Sequence, residues 1–218
     1  MGAKARLNKE TLVSTALDLA DADGLEAVTT RRLAQHHGVT PMALYRHFRD
    51  KEEILDALAE RLLAEVALPE PDNRPWHEQL RDLFDALLLA LRPHPAAAGL
   101  VLSRVLSSEP GLALAERALA LLSDAGFSVD QAAEAASQGL SSLVTLVLTE
   151  PGRGAAIADK EKRDDEISAK RVALAALSPT RYPHVVAAAD ALADCASDEI
   201  YYARGAAMIV AGMRAVEV

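Results

Sequence analysis

Residues 7–58 read LNKETLVSTALDLADADGLEAVTTRRLAQHHGVTPMALYRHFRDKEEILDAL and carry the pattern that decides the fold. Asn8 is a favourable N-cap for a first helix with apolar residues at spacings of three and four, and Gly24 ends that helix. A short second helix follows, and Gly38 supplies the turn after it. Pro41 takes the first position of a third short helix, where its missing N–H costs nothing. This order predicts a helix-turn-helix unit.

The third helix carries residue types that suit the major groove of DNA. Leu44 and Phe48 are four residues apart, and we expect both to face the core. The residues left to point outward are Pro41, Met42, Ala43, Tyr45, Arg46 and His47. An arginine in such a helix can pair with guanine, and methyl-bearing side chains can contact thymine. Tyr45, His47 and Lys51 are placed to hold phosphates.

The composition predicts an all-α protein with its positive charge at the N-terminal end. Half of the residues are hydrophobic and only 4% are aromatic, which is typical of packed helices. The net charge is −9, but residues 1–51 hold 8 Lys and Arg against 6 Asp and Glu, a net +2, which leaves −11 on the remainder. The acidic remainder would repel DNA and so orient the basic end toward it. Neither a secretory signal nor a membrane span is visible, so we expect a cytoplasmic protein.

The remaining chain is predicted to form a second helical domain. A fourth helix begins after Asp50 and runs to about Ala67, and a connector with three prolines follows at residues 68–75. We divide the chain into a DNA-binding domain at 1–51, a connecting helix at 52–67 and a ligand-binding and dimerisation domain at 68–218. Beyond the helix that begins at Trp76, helices are expected near 96–106, 110–125, 128–150, 166–177, 183–195 and 198–215, with a mobile loop at 151–165.

The N-terminal elements resemble those of the tetracycline-repressor family of transcriptional regulators. T-T-R-R-L-A stands at residues 29–34, G-V-T-P-M-A-L-Y-R-H-F at 38–48 and D-K-E-E-I-L at 50–55. The resemblance implies a homodimeric repressor that binds a palindromic operator in double-stranded DNA. It places a base-reading arginine at Arg31 and further readers on the third helix. The candidate DNA-binding residues are Thr30, Arg31, Pro41, Met42, Ala43, Tyr45, Arg46, His47 and Lys51.

The second half resembles the sensing domain of the tetracycline-binding branch, with one departure. In that branch a histidine on the sixth helix and a glutamate near the end of the eighth hold the magnesium of the drug. Here the histidine position falls near Val101 or Leu102, a drug-contacting polar position on the fifth helix falls near Leu83, and only Glu150 lies near the carboxylate position. One carboxylate without imidazole is a poor magnesium-chelate site, so we expect no metal, no cofactor and a small hydrophobic effector other than tetracycline-magnesium. The candidate ligand-binding residues are Phe84, Leu87, Leu88, Leu102, Leu106 and Leu143.

Small and hydroxyl residues on two later helices leave alternatives open. Gly139, Gly205 and Gly212 would allow close approach of helices from two subunits in a dimer, or they only relieve crowding within one subunit. A stripe of hydroxyls recurs every four residues: Ser137, Ser141, Thr145 and Thr149. These hydroxyls either line a pocket or bond back to carbonyls of the preceding turn.

Two other functions compete with an effector-responsive repressor. An enzyme with a two-metal site in a helical bundle needs Glu-x-x-His pairs, and none occurs in the sequence. Neither a phosphate-binding loop nor a dinucleotide-binding motif is visible. The other alternative keeps the DNA-binding unit but makes the second domain a dimeriser that senses no ligand. Activation in place of repression also stays open.

Overall fold

The computed structural model describes residues 8–150, 160–194 and 197–216, and the secondary structure in these ranges is helical with no strand. The prediction of an all-α fold is confirmed. The helices are α1 (Lys9–Asp23), α2 (Thr30–His36), α3 (Pro41–Leu44), α4 (Lys51–Ala64), α5 (Trp76–Leu91), α6 (Pro95–Ala98), α7 (Leu100–Arg104), α8 (Glu109–Asp124), α9 (Val129–Leu148), α10 (Lys160–Ala175), α11 (Pro183–Ala187), α12 (Ala189–Ala193) and α13 (Asp198–Ala215). Short 3-10 turns lie at Leu25–Ala27 and Val105–Ser107.

Side-chain caps set the starts of several helices. Asn8 and Asp50 each accept a hydrogen bond from the backbone N–H three residues further on, at 2.7 and 2.9 Å. Ser128 forms a reciprocal capping box with the glutamine three residues later, and Ser197 caps α13. These bonds satisfy N–H groups that have no partner inside the helix. The predicted starts of α1, α4, α9 and α13 are therefore confirmed.

Helices α1 to α3 pack with α4 around a small apolar core. Leu12, Leu33, Leu44 and Leu58 are fully buried there, and Phe48 is 1% exposed. The turn between α2 and α3 passes through Gly38, whose φ of 62° is a left-handed conformation that side chains with a Cβ rarely adopt. The short helix α3 is thereby held across the end of α2 with one face outward.

The second domain is built around α5, which packs against α8, α9 and α13. Helix α4 joins the two domains, because it contacts α1 on one side and α7 and α8 on the other. Within the described ranges, no helix combines the length and apolar character that a membrane-spanning segment requires.

Three predicted elements differ from the structure. The helix expected near 96–106 is divided into α6, α7 and a 3-10 turn, with Gly99 between the first two. The helix expected near 183–195 is divided into α11 and α12. Part of the expected loop at 151–165 is helical, because α10 begins at Lys160; residues 151–159 lie outside the described ranges. A run of charges suits a solvated helix face as well as a loop, and Ile167 supplies a buried position on α10.

Candidate functional site

The outer face of α3 and the turn after it, at residues 45–47, presents apolar, aromatic and basic side chains to solvent. Met42 is 73% exposed and Tyr45 is 50% exposed, although side chains of this size are usually buried. Arg46 is also exposed, whereas Leu44 and Phe48 point into the core as predicted. Of the other candidates, Pro41 and Arg31 are exposed, and Thr30, Ala43, His47 and Lys51 are half-buried. The predicted residues therefore lie on α2, on α3, in the turn after α3 and at the start of α4.

The three predicted cations differ in their surroundings. In the described part of the chain, the guanidinium groups of Arg31 and Arg46 make no ion pair. The Lys51 ammonium lies 3.5 Å from a carboxylate oxygen of Glu26, whose side chain is almost fully exposed. Such an exposed pair contributes at most about 1 kcal/mol and is easily exchanged for another anion. All three cations are thus available to phosphates or base edges.

An apolar cavity lies between α5, the 3-10 turn at Val105–Ser107, α8 and α9. Its volume is about 180 Å³, and it is partly open to solvent. The lining residues are Leu83, Phe84, Leu87, Val105, Leu106, Leu114, Ala115, Ala118, Leu119, Ala133, Ala136, Ser137, Leu140 and Leu143. Ser137 supplies the one polar side chain of this lining. A cavity of this kind favours an apolar molecule with at most one directional polar contact to a side chain.

The structure places four of the six predicted ligand-binding residues on this lining and two elsewhere. Phe84, Leu87, Leu106 and Leu143 are on the lining. Leu88 lies on a groove between α5 and α13, because successive residues of a helix point about 100° apart. Leu102 is 41% exposed on the outer side of α7, where its neighbour Val101 takes the buried position. The assignment of Leu88 and Leu102 to the cavity was therefore wrong.

The positions that correspond to magnesium and drug ligands of the tetracycline-binding branch are apolar or otherwise engaged. Val101 is fully buried, and Leu83 lies on the cavity lining. Glu150 is 3% exposed and accepts a hydrogen bond from the Tyr202 hydroxyl at 3.1 Å. Among the described residues, no group of three His, Cys, Asp or Glu side chains is arranged to hold a metal ion.

The hydroxyl stripe on α9 divides between the two alternatives. Thr145 donates to the carbonyl of Ser141 at 2.8 Å, and Thr149 donates to the carbonyl of Thr145 at 2.7 Å. These hydroxyls satisfy themselves within the helix. Ser137, at the other end of the stripe, reaches the cavity lining.

Two of the three glycines predicted at a dimer interface lie against side chains of their own subunit. A Cβ on Gly139 would lie 2.6 Å from Met213 Cε and 2.9 Å from Phe84 Cζ. A Cβ on Gly205 would lie 2.5 Å from Leu146 Cδ1, so both glycines allow α9 and α13 to pack closely within one subunit. Only the space around Gly212 is open. The placement of Gly139 and Gly205 at a crossing between subunits is corrected accordingly.

Sequence reasoning missed the polar contacts that join the two domains. Arg104 on α7 pairs with Glu52 and Asp56 on α4, with each distance 2.7 Å. His94 Nδ1 lies 2.6 Å from Asp21 Oδ2 on α1. Burial raises the pKa of Asp21 above its ordinary value, although the contact with His94 opposes that rise. Contacts across such sequence separations have no local signal, so only the tertiary structure reveals them.

A helix-turn-helix unit with an exposed basic face, joined by one helix to a larger helical domain with a cavity, defines a class of DNA-binding transcriptional regulator. Residues 12–58 match the family model of bacterial regulatory proteins of the tetR family. Residues 68–217 match the model of the tetracyclin repressor-like C-terminal domain. The chain therefore belongs to the tetracycline-repressor family, whose members are transcriptional regulators.

Individual relatives are similar over nearly the whole chain. An HTH-type transcriptional regulator of Saccharopolyspora erythraea is 30% identical over 97% of this chain and 86% of its own length. The class A tetracycline repressor from transposon 1721 in Escherichia coli is 32% identical over 95% of this chain and 91% of its own length. The crystal structure of Streptomyces coelicolor ActR in complex with actinorhodin superposes with a TM-score of 0.77, at 29% identity, covering 97% of this chain and 98% of that chain.

Proposed function

We propose that the protein is a repressor that binds a palindromic operator as a homodimer and is released by a small hydrophobic effector without magnesium. The apolar cavity between α5, α8 and α9 carries this proposal, because its lining offers one side-chain hydroxyl, from Ser137, and otherwise apolar groups. The division into a DNA-binding domain at 1–51, a connecting helix at 52–67 and a ligand-binding and dimerisation domain at 68–218 belongs to the same proposal.

The proposed DNA interface assigns different tasks to different side chains. Arg31 and Arg46 are exposed and unpaired within the described chain, so they suit base edges that present two acceptors, as guanine does. Met42 offers an apolar surface to thymine methyl groups. Tyr45 and Lys51 hold the phosphates on either side. Thr30, Pro41, Ala43 and His47 complete the contact surface.

The proposed dimer uses exposed apolar residues on α9 and α13. Met208 is 74% exposed, Leu148 is 49% exposed and Ile200 is 42% exposed, and open space surrounds Gly212. Two helices from each subunit would form a four-helix contact that covers these residues. The two recognition helices would then meet successive major grooves, about 34 to 36 Å apart.

Release requires that an effector bind one arrangement of the dimer more tightly than the other. A change from 1:99 to 99:1 needs a difference of about 5.5 kcal/mol. At about 25 cal/mol per Å², this corresponds to roughly 220 Å² of additional apolar burial in the released state. An apolar molecule meets this requirement if it buries that much more apolar surface in the released state than in the DNA-bound state. The complex of the similar protein ActR with actinorhodin supports a small-molecule effector for this protein.

The decisive experiment first selects operator DNA from a random double-stranded library with the purified protein. We expect the selected sequences to contain an inverted repeat. Uncharged lipophilic compounds are then titrated against the protein on fluorescent operator, with and without a metal chelator. Release that is indifferent to the chelator, and that a cavity-filling Ala136→Phe variant loses, would support the proposal. Release that depends on magnesium, or no release by any compound that binds the cavity, would refute it.

A further inference from the structure

A single stretch of the second domain touches both the cavity and the DNA-binding unit. We call residues 94–107, which comprise α6, α7 and the following 3-10 turn, the bridging segment. At its start, His94 contacts Asp21 on α1. Near its end, Arg104 contacts α4, and the next two residues, Val105 and Leu106, line the cavity. Arg104 is therefore covalently next to the cavity wall and is joined to α4 by side-chain hydrogen bonds.

Arg104 forms hydrogen bonds with two carboxylates of α4. Its Nε donates to Asp56 Oδ1 at 2.7 Å, and its Nη2 donates to Glu52 Oε2 at 2.7 Å. The two carboxylates are four residues apart and share one face of the helix. The Arg104 side chain is only 17% exposed, so its guanidinium is held in place while the carboxylates stay in contact with water. A planar guanidinium can bridge two acceptors in this way, whereas an ammonium is a single point charge.

The 3-10 turn that follows Arg104 packs closely against α8. The Val105 carbonyl rests directly against Gly111 on α8, where a Cβ would lie only 1.9 Å from its oxygen. The same Gly111 position lies against Leu63 on α4, with 3.1 Å from that Cβ to Leu63 Cδ1. Val105 is therefore closely packed between the cavity and α8, and a molecule that presses on Val105 and Leu106 acts on the residues directly next to Arg104.

We propose that Arg104 is the positioning residue that transmits occupancy of the cavity to α4, and through α4 to the DNA-binding unit. Displacement of the 3-10 turn breaks or redirects the contacts with Glu52 and Asp56, and these residues lie in the first two turns of α4. Lys51 precedes them directly, at the DNA-binding end of the helix. This inference rests on the proposed function and adds the side chain that couples its two sites.

The coupling can be measured with the uncharged fluorescent probe N-phenyl-1-naphthylamine, because binding linkage is reciprocal. The probe's Kd for the wild-type dimer is determined with and without saturating operator, and we expect operator to weaken probe binding by about 5-fold or more. In Arg104→Gln the ratio of the two Kd values should fall to within about 2-fold of one, because the charged link is absent. Arg104→Lys should be intermediate, since an ammonium reaches one carboxylate at a time.

The matched control is Arg61→Gln, which removes an arginine of α4 itself. Arg61 pairs with Glu65 at 2.7 Å, at the end of that helix, and makes no hydrogen bond or ion pair with the bridging segment among the described residues, so the wild-type ratio should persist. A Glu52→Gln/Asp56→Asn double variant removes the acceptors instead and should reproduce the loss. If Arg104→Gln does not fold, the ratio of Kd values measured in this double variant tests the role of Arg104 in its place. A purely structural role for Arg104 would lower thermal stability but leave the ratio of Kd values unchanged.

The outcomes separate this inference from the proposed function. A wild-type ratio of about one, or a probe whose binding the Ala136→Phe variant leaves intact, overturns the proposed effector site and with it the role of Arg104. A wild-type ratio that persists in Arg104→Gln, or in the Glu52→Gln/Asp56→Asn variant, overturns the role of Arg104 alone. Loss of the ratio in Arg61→Gln as well would show that any arginine on this surface has the same effect, and would also overturn it.

Discussion

Gly111→Ala should destabilise the protein by moving the cavity wall. The new Cβ would lie 1.9 Å from the Val105 carbonyl oxygen and 2.8 Å from its carbonyl carbon. Since carbon–oxygen contacts lie near about 3.3 Å, the backbone must move by about 1.4 Å. Overpacking against backbone costs about 3 kcal/mol, and the better helix propensity of alanine returns at most about 1 kcal/mol. The net loss of about 2 kcal/mol should lower Tm by about 4 to 8 °C.

Gly139→Ala is the matched control for this prediction. Its Cβ would meet the ends of the Met213 and Phe84 side chains at 2.6 and 2.9 Å, and a methionine side chain can rearrange at small cost. The gain in helix propensity, about 1 kcal/mol, should offset most of that cost. Calorimetry at one protein concentration compares the two variants, because Tm of a dimer depends on concentration. Equal Tm values for Gly111→Ala and wild type would refute the argument from the Val105 contact.

The remaining predictions concern DNA, pH and assembly. Arg46→Ala should reduce the free energy of DNA binding by about 1 to 3 kcal/mol, and only at particular base pairs, whereas Lys51→Ala should weaken binding to all sequences alike and flatten its salt dependence. Fluorescence anisotropy across salt concentrations distinguishes the two variants. Uniform losses from both variants would contradict the assignment of Arg46 to base edges. Burial, with a smaller effect of His36, lowers the pKa of His37, so the unfolded chain binds more protons and stability should fall as pH drops below the ordinary histidine pKa. His37→Gln should flatten that slope in urea unfolding, and an unchanged slope would exclude His37 as its source. Met208→Glu should shift the dimer toward monomer in sedimentation, and an unaltered dimer would place the contact elsewhere.

Local signals were sufficient for the DNA-binding unit. The caps at Asn8 and Asp50, the turn at Gly38 and the inward pair Leu44 and Phe48 all lie where the sequence predicts them. Each of these features depends on neighbours within about four residues, through hydrogen bonds and helical periodicity that a sequence displays directly. The apolar character of the cavity was also predictable, because the second domain supplies mainly Leu and Ala on its inward faces.

The tertiary structure alone decided which residues meet across the second domain. Leu87 faces the cavity while Leu88 faces α13, since rotation about the α5 axis is set by packing against several helices at once. Gly139 serves a contact within the subunit because Met213 arrives there from α13. Arg104 reaches its carboxylates on α4 across about 50 residues of chain, and helical periodicity carries no information over that separation. The sequence thus determined most of the helices and the exposed face around α3, whereas long-range packing determined where some helices divide, which residues line the cavity and how the domains are linked.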